Sequence, residues 1–160
     1  MRIGVKLKFW LFRNYWWLLG TILVGAVAFL LCTETSITSI ATVAGSVLSV
    51  IYFIQKQRLE ELKLFRELFK EFNARYDGMN ENLANIISKS NTPLTSEEES
   101  SLIDYFNLCG EEHLYYELGY IDPVVWKSWC NGMKSFIESP RVKPLWEAEK
   151  ATSSYYGISL

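Results

Sequence analysis

Three side chains on neighbouring turns of one predicted helix are able to do chemistry: Cys109, Glu112 and His113. Cys109 and His113 are four residues apart, so their side chains lie on the same face of a helix. Such a pair can bind a transition metal or act as a thiolate and its base. Zinc requires at least three protein ligands, and the remaining candidate, Cys130, lies on the next predicted helix without a CxxC or HxxxH motif.

The alternative interpretation is that these residues are structural. Cys109 is then a small core residue, and His113, the only histidine, is a buried hydrogen-bonding group. Glu111 and Glu112 are adjacent and point to different sides of a helix, which makes them a poor acid and base pair. Because the sequence also lacks a glycine-rich phosphate loop and a Gly-x-Ser-x-Gly motif, we predict no enzyme, cofactor or metal site.

The elements that position this helix begin with two apolar runs, residues 15–32 and 37–54, which contain no charged side chain. A helix of either length is about 27 Å long, close to a hydrocarbon core of about 30 Å. The connection, residues 33–36, is too short to recross a membrane, so we predict a transmembrane helical hairpin. A signal peptide is disfavoured because no small-x-small cleavage site follows the first run. A soluble hairpin is disfavoured because so short a chain can hardly cover it.

Basic residues flank both runs, whereas the connecting turn carries only Glu34. Those flanking residues are Arg2, Lys6, Lys8 and Arg13 before the first run and Lys56, Arg58, Lys63 and Arg66 after the second. Lys and Arg stay on the cytoplasmic side, which predicts that both termini are cytoplasmic. Residues 55–160 contain 12 Lys and Arg against 17 Asp and Glu, so we expect no direct binding of nucleic acid. Three cysteines, an odd number, are expected to be reduced.

The rest of the chain has helical periodicity only. Apolar residues at alternating three- and four-residue steps continue the second run as one seam: Leu62, Phe65, Phe69, Phe72, Tyr76, Met79, Leu83 and Ile86. The pair Asp77-Gly78 is the point at which this helix could kink. The predicted fold is all-α, with a basic and aromatic N-terminus over residues 1–14, the hairpin, and a cytosolic helical domain over residues 55–160.

Start signals mark the later helices. Thr95 and Glu98 form a capping box, and Asp122 with Pro123 supplies an N-cap and a first-turn proline. A last short helix is expected over residues 144–151.

Small residues form a strip on each apolar helix, where they allow close helix packing in lipid. The strips comprise Thr21, Gly25 and Ala28 on the first helix and Ala41, Thr42, Gly45, Ser46 and Ser49 on the second. Two interpretations remain open: the strips seal the hairpin to itself, or they pack against further copies and line a wet interface or pore. The hydroxyls can also bond back to their own helix.

Three segments carry a resemblance: residues 68–77 (LFKEFNARYD), 105–112 (YFNLCGEE) and 119–129 (GYIDPVVWKSW). They resemble a widespread family of small, mostly uncharacterised bacterial helical proteins, over about residues 60–157. With two transmembrane helices, the layout also resembles the two-transmembrane effectors of bacterial antiphage systems such as retrons. The resemblance implies an inner-membrane protein that damages the membrane after a partner complex senses infection, and it carries over no catalytic residue.

Polar residues of these segments are candidates for an internal network or a partner surface: Asn73, Arg75, Asp77, Asn107, Glu111 and Glu112. We expect Arg75 to pair with Glu111 or Glu112, the alternative being that all six are ordinary exposed groups. Two classes of function follow. One is an antiphage membrane effector that acts on the lipid bilayer and forms homo-oligomers when active. Its activity is controlled by a protein or nucleoprotein complex encoded in the same operon. The other is a passive anchor or adaptor whose bundle recruits a partner.

Overall fold

The computed structural model describes residues 3–33, 36–89 and 92–160. Within these ranges it contains helices and no strand, which confirms the all-α prediction. The helices are α1 (Ile3–Cys32), α2 (Ile37–Ser88), α3 (Ser96–Glu117), α4 (Pro123–Ile137) and α5 (Lys143–Ala151). Arg2 and Glu34, on which part of the predicted topology rests, lie outside the described residues.

Helices α1 and α2 are both longer than the apolar runs within them. Helix α1 already begins at Ile3, and α2 continues beyond the second apolar run to Ser88. The sequence left open whether this helix breaks at Asp77-Gly78, and the structure shows one unbroken helix there. Both are long and apolar enough to cross a membrane, and only 6% of the most apolar window of either helix is buried. A helix in the core of a soluble protein would be mostly buried.

The chain divides into two compact units, and α2 contributes to both. The first, which we call the hairpin unit, contains the described residues up to Leu64. Its helices pair antiparallel beyond the apolar runs, since Lys8 Nζ on α1 lies 2.9 Å from Glu61 Oε2 on α2. Tyr15 and Val47 are its buried hydrophobic residues within the described ranges.

The second unit, which we call the bundle unit, extends from Phe65 to Leu160. Its core consists mainly of aromatic and branched side chains. Those that are fully buried are Leu83, Ile86, Leu102, Phe106, Leu108, Cys109, Ile121 and Val142. The α2 seam is buried at Phe72, Leu83 and Ile86. Leu62, in the hairpin unit, is 62% exposed and Phe69 is 39% exposed, so the seam prediction was wrong at these two positions.

Local signals set the helix ends in the bundle unit. Glu98 N–H donates to Thr95 Oγ1, and Thr95 N–H donates back to the Glu98 carboxylate, which is the predicted capping box. The Asp122 carboxylate accepts a 2.7 Å hydrogen bond from Val124 N–H. Gly119 follows α3 with φ of 80°, a conformation that favours glycine.

Candidate functional site

Cys109 and His113 lie in surroundings that favour their uncharged forms. The Cys109 thiol is fully buried, and burial raises its pKa well above the ordinary value, so the thiol stays protonated. The His113 ring packs 5.4 Å from the Trp126 ring, and burial lowers its pKa. Its Nδ1 has no hydrogen-bond partner among the described residues. In the same ranges, no three His, Cys, Asp or Glu side chains come together to hold a metal.

Glu112 is a carboxyl group enclosed by the bundle. It is only 7% exposed, and burial raises its pKa to about 8, although the Arg75 charge acts in the opposite direction. Burial disfavours the charged form, so the protonated form of Glu112 is favoured at neutral pH. It therefore behaves as a neutral core residue rather than as an anion available for an ion pair.

Glu112→Gln is expected to remove a pH dependence of stability. The unfolded chain releases the Glu112 proton near pH 4.5 and the folded chain near pH 8, so folding becomes less favourable as pH rises between these values. One pKa unit corresponds to about 1.36 kcal/mol. Between pH 6 and pH 8, the free energy of unfolding of the wild type should therefore fall by about 2 kcal/mol relative to that of Glu112→Gln. Urea unfolding of the full-length protein in micelles, followed by near-UV circular dichroism, measures the difference.

The exposed Glu147 provides a matched control for this experiment. Glu147→Gln makes the same side-chain change at an exposed position on α5 and should keep the wild-type slope. Parallel pH profiles for the wild type and Glu112→Gln would show that Glu112 is ionised in the folded protein.

Arg75 and Glu111 form the main ion pair between α2 and α3. The guanidinium donates through Nη1 to Glu111 Oε2 at 2.5 Å and through Nη2 to Glu111 Oε1 at 3.3 Å. Hydrogen bonding to Glu111 raises the pKa of Arg75. Of the other polar candidates, Asn73 donates to the Phe69 carbonyl of its own helix, and Asp77 is exposed.

The Arg75–Glu111 pair lies in an open cleft of about 620 Å³. Asp104 and Asn107 on α3 and Tyr156 of the C-terminal tail also line this cleft. Arg75, Asn107 and Glu111, three of the six polar candidates, are therefore brought together at one place, whereas Glu112 is buried beside it.

A double-mutant cycle should detect coupling across this ion pair. The two side chains are 36% and 39% exposed, so the interaction is screened by water, and we expect a coupling energy of only about 0.5–1 kcal/mol. Arg75→Ala, Glu111→Ala and the double variant are compared by urea unfolding. Strictly additive losses in the free energy of unfolding would contradict the pair, and a Glu147→Ala cycle with Arg75→Ala should be additive.

Arg141 and Glu98 form a buried cluster that the sequence did not reveal. Their side chains are 7% and 9% exposed, and Arg141 Nη2 lies 2.6 Å from Glu98 Oε2. The guanidinium also donates to the carbonyls of Ile86, Thr92 and Pro93. Because Ile86 lies in the last turn of α2, Arg141 pairs a carbonyl that the end of a helix leaves free.

The Glu98 carboxylate is held ionised by these neighbours. Hydrogen bonds from Arg141, from Thr95 N–H and from Lys89 lower its pKa to about 2. The cluster thus joins the end of α2, the start of α3 and the segment between α4 and α5. Its arrangement is that of a structural clamp.

In the hairpin unit, the small-residue strips face away from the contact between α1 and α2. Thr21, Gly25 and Ala28 are exposed, whereas the less exposed side chains in this part of α1 are Leu18, Leu19, Leu23, Ala26, Val27 and Leu30, most of them on the other side of the helix. The strip of α2 is exposed as well: Ala41, Thr42, Gly45, Ser46 and Ser49. A Cβ added at Gly25 or Gly45 meets nothing within 4 Å. The hairpin therefore does not use these strips to seal itself.

The hydroxyl groups of these strips bond to their own helix. Thr42, Ser46 and Ser49 each donate a 2.9 Å hydrogen bond to the carbonyl four residues earlier. Thr21 does the same on α1 at 2.9 Å. The hydroxyls are thereby satisfied without water, and the small side chains leave a smooth surface.

Comparison of the chain with protein-family models, with curated proteins and with solved structures finds no match.

Proposed function

We propose that this protein is a two-transmembrane effector of a bacterial antiphage defence system. Its hairpin resides in the inner membrane with both termini in the cytoplasm. When a partner complex encoded in the same operon senses infection, the hairpins assemble with one another and permeabilise the membrane. The partner holds the bundle unit in the inactive state, and no cofactor or enzymatic step takes part.

The exposed small-residue strips are the observation that carries this proposal. In lipid, helices associate through close packing of small side chains, because no hydrophobic driving force acts between apolar surfaces. Small residues that serve only to close a hairpin lie between its own two helices, where they let the backbones approach. Here both strips are exposed, so they are free to pack against a second copy.

The continuity of α2 supplies a route from the bundle unit to the membrane. This single helix contains an apolar run, residues 37–54, and also the core residues Phe72, Leu83 and Ile86. Because a helix is stiff along its axis, a partner that binds the bundle unit can bias the orientation of the span.

Membrane potential in cells tests the proposal. The full chain is induced without other genes of its operon in a bacterium that carries a voltage-sensitive dye. We expect depolarisation within minutes, followed by arrest of growth. The same measurement is repeated during phage challenge, with and without the operon partners. If the protein is in the membrane fraction and the membrane potential is unaltered in every case, the proposal is refuted.

The second candidate function is a passive membrane anchor or adaptor. It is favoured by the hydroxyl groups of Thr42, Ser46 and Ser49, which bond to their own helix and so require neither water nor a partner. An anchor predicts that phage defence survives when both apolar runs are replaced by unrelated transmembrane helices. The effector predicts that this replacement abolishes defence.

A further inference from the structure

The cleft beside Arg75 is a built feature of the bundle unit. Ala74 and Gly78, one turn apart on α2, leave open space, since a Cβ added at Gly78 meets nothing within 4 Å. The opposite wall is the C-terminal tail, which is held in place by Tyr155. A Cβ at Gly110 would lie 3.3 Å from Tyr155 Cδ1, and Tyr155 Oη donates to Glu149 at 2.8 Å. Tyr155 is 4% exposed, so this wall is anchored in the core.

The charge within the cleft is negative. Arg75 is neutralised by its two hydrogen bonds to Glu111. Asp104 is exposed in the same cleft, and no ion pair or hydrogen bond from the described residues neutralises it. Apart from the buried Glu112, the bundle unit contains 14 Asp and Glu against nine Lys and Arg, which strengthens the attraction for a cation.

The groups around Asp104 have the chemistry that binds a cationic side chain. Asn107 lies one turn further along α3, on the same face, and its amide can pair with a guanidinium or a peptide group. Tyr156 is 57% exposed at the rim, where its ring face can receive a cation. Met79 offers a flexible apolar contact for the methylene groups of a long side chain.

We propose that this cleft binds an arginine or lysine side chain on an extended basic segment of a partner protein. The Asp104 carboxylate pairs with the cationic group of that side chain, and the Asn107 amide pairs with the adjoining backbone of the partner segment. The ring of Tyr156 packs over the cationic group. This inference names the partner chemistry of the proposed effector. The binding itself requires no membrane activity, so it is tested separately from that function.

Methionine methyl signals report binding to this cleft directly. The full-length protein is labelled with 13C-methyl methionine in nanodiscs of zwitterionic lipid and titrated with acetyl-Gly-Gly-Arg-Gly-Gly-amide. Met79 lines the cleft, whereas Met133 is 3% exposed in the core and serves as an internal reference. We expect a saturable shift of the Met79 signal only, and no shift with the same peptide carrying citrulline, which lacks the charge.

Two matched variants locate the charge that is recognised. Asp104→Asn should weaken binding of the arginine peptide about fivefold, while Glu147→Gln, which removes the same charge on α5, should leave it unchanged. A Met79 signal that neither peptide moves, equal shifts with arginine and citrulline, or equal weakening by both variants would overturn the proposal. Loss of depolarisation in cells, with this binding intact, would instead count against the effector function alone.

Discussion

Arg141→Met should lower the melting temperature of the bundle unit by about 10 °C or more. The substitution leaves the Glu98 carboxylate, 9% exposed, without its closest cation. It also leaves the carbonyls of Ile86, Thr92 and Pro93 without their donor. Removing one partner of a buried ion pair is among the most destabilising single changes, because the remaining charge stays desolvated. Thermal unfolding of the full-length protein in micelles, followed by near-UV circular dichroism, measures it.

The same variant should also respond differently to acid. The lowered pKa of Glu98 contributes stability above its ordinary pKa of 4.5, and this contribution is lost as pH falls toward 2. The difference between wild type and Arg141→Met should therefore shrink between pH 5 and pH 2. Arg66→Met, which removes an exposed guanidinium from α2, is the control and should melt like the wild type. Equal melting temperatures for Arg141→Met and Arg66→Met would contradict the clamp.

Gly45→Leu should abolish depolarisation while leaving the fold intact. The added side chain projects from the exposed strip of α2 and meets nothing within 4 Å in the monomer, so the hairpin accommodates it. Between copies it separates two helix backbones and removes about 1–2 kcal/mol of packing, which lowers assembly about tenfold at each interface. Voltage-sensitive dye fluorescence after induction measures the loss, at matched protein levels in the membrane fraction.

Gly20→Leu is the matched control for this prediction. Gly20 lies in the apolar run of α1, is also exposed with open space around its Cα, and stands outside the strip of Thr21, Gly25 and Ala28. We expect Gly20→Leu to depolarise cells like the wild type. Equal activity of Gly45→Leu and the wild type would show that the α2 strip takes no part in assembly.

The features that the sequence predicted correctly are those with local causes. The continuation of α2 beyond its apolar run, the capping box of Thr95 and Glu98, and the N-cap at Asp122 all depend on residues within a few positions of one another. Whether α2 breaks at Asp77-Gly78 was not decided by the sequence. The exclusion of a Cys109–His113 reactive pair remains a prediction, although the buried, protonated thiol supports it.

The Arg141 cluster depends on residues distant in sequence and has no local signal. Arg141 meets Glu98 and Ile86 only after the bundle has folded. The sequence predicted Glu98 only as a capping-box residue and Ile86 only as part of the seam, and it gave no sign of Arg141. The packing of the C-terminal tail likewise has no local signal in the sequence. Tyr155 packs closely against Gly110, which has no side chain in the way. A glycine inside a helix is a hint of such close approach, but the sequence does not say what approaches.

The direction of the small-residue strips is the point that spacing could not decide. Residues at three- and four-residue steps share one helix face, yet the same spacing fits a strip between the two helices and a strip on the outside. Gly25, Gly45 and the other strip residues are exposed, and this exposure distinguishes the two arrangements.

Leakage of a dye from liposomes tests most directly whether the hairpin breaches membranes through self-assembly. The purified full-length chain is reconstituted at increasing protein-to-lipid ratios, and its insertion is measured by flotation. We predict that dye leakage rises more steeply than in proportion to the amount of inserted protein. At a ratio where liposomes with Gly20→Leu leak, liposomes with Gly45→Leu should retain their dye. Liposomes that stay tight at every ratio, with the wild-type protein fully inserted, would contradict the account.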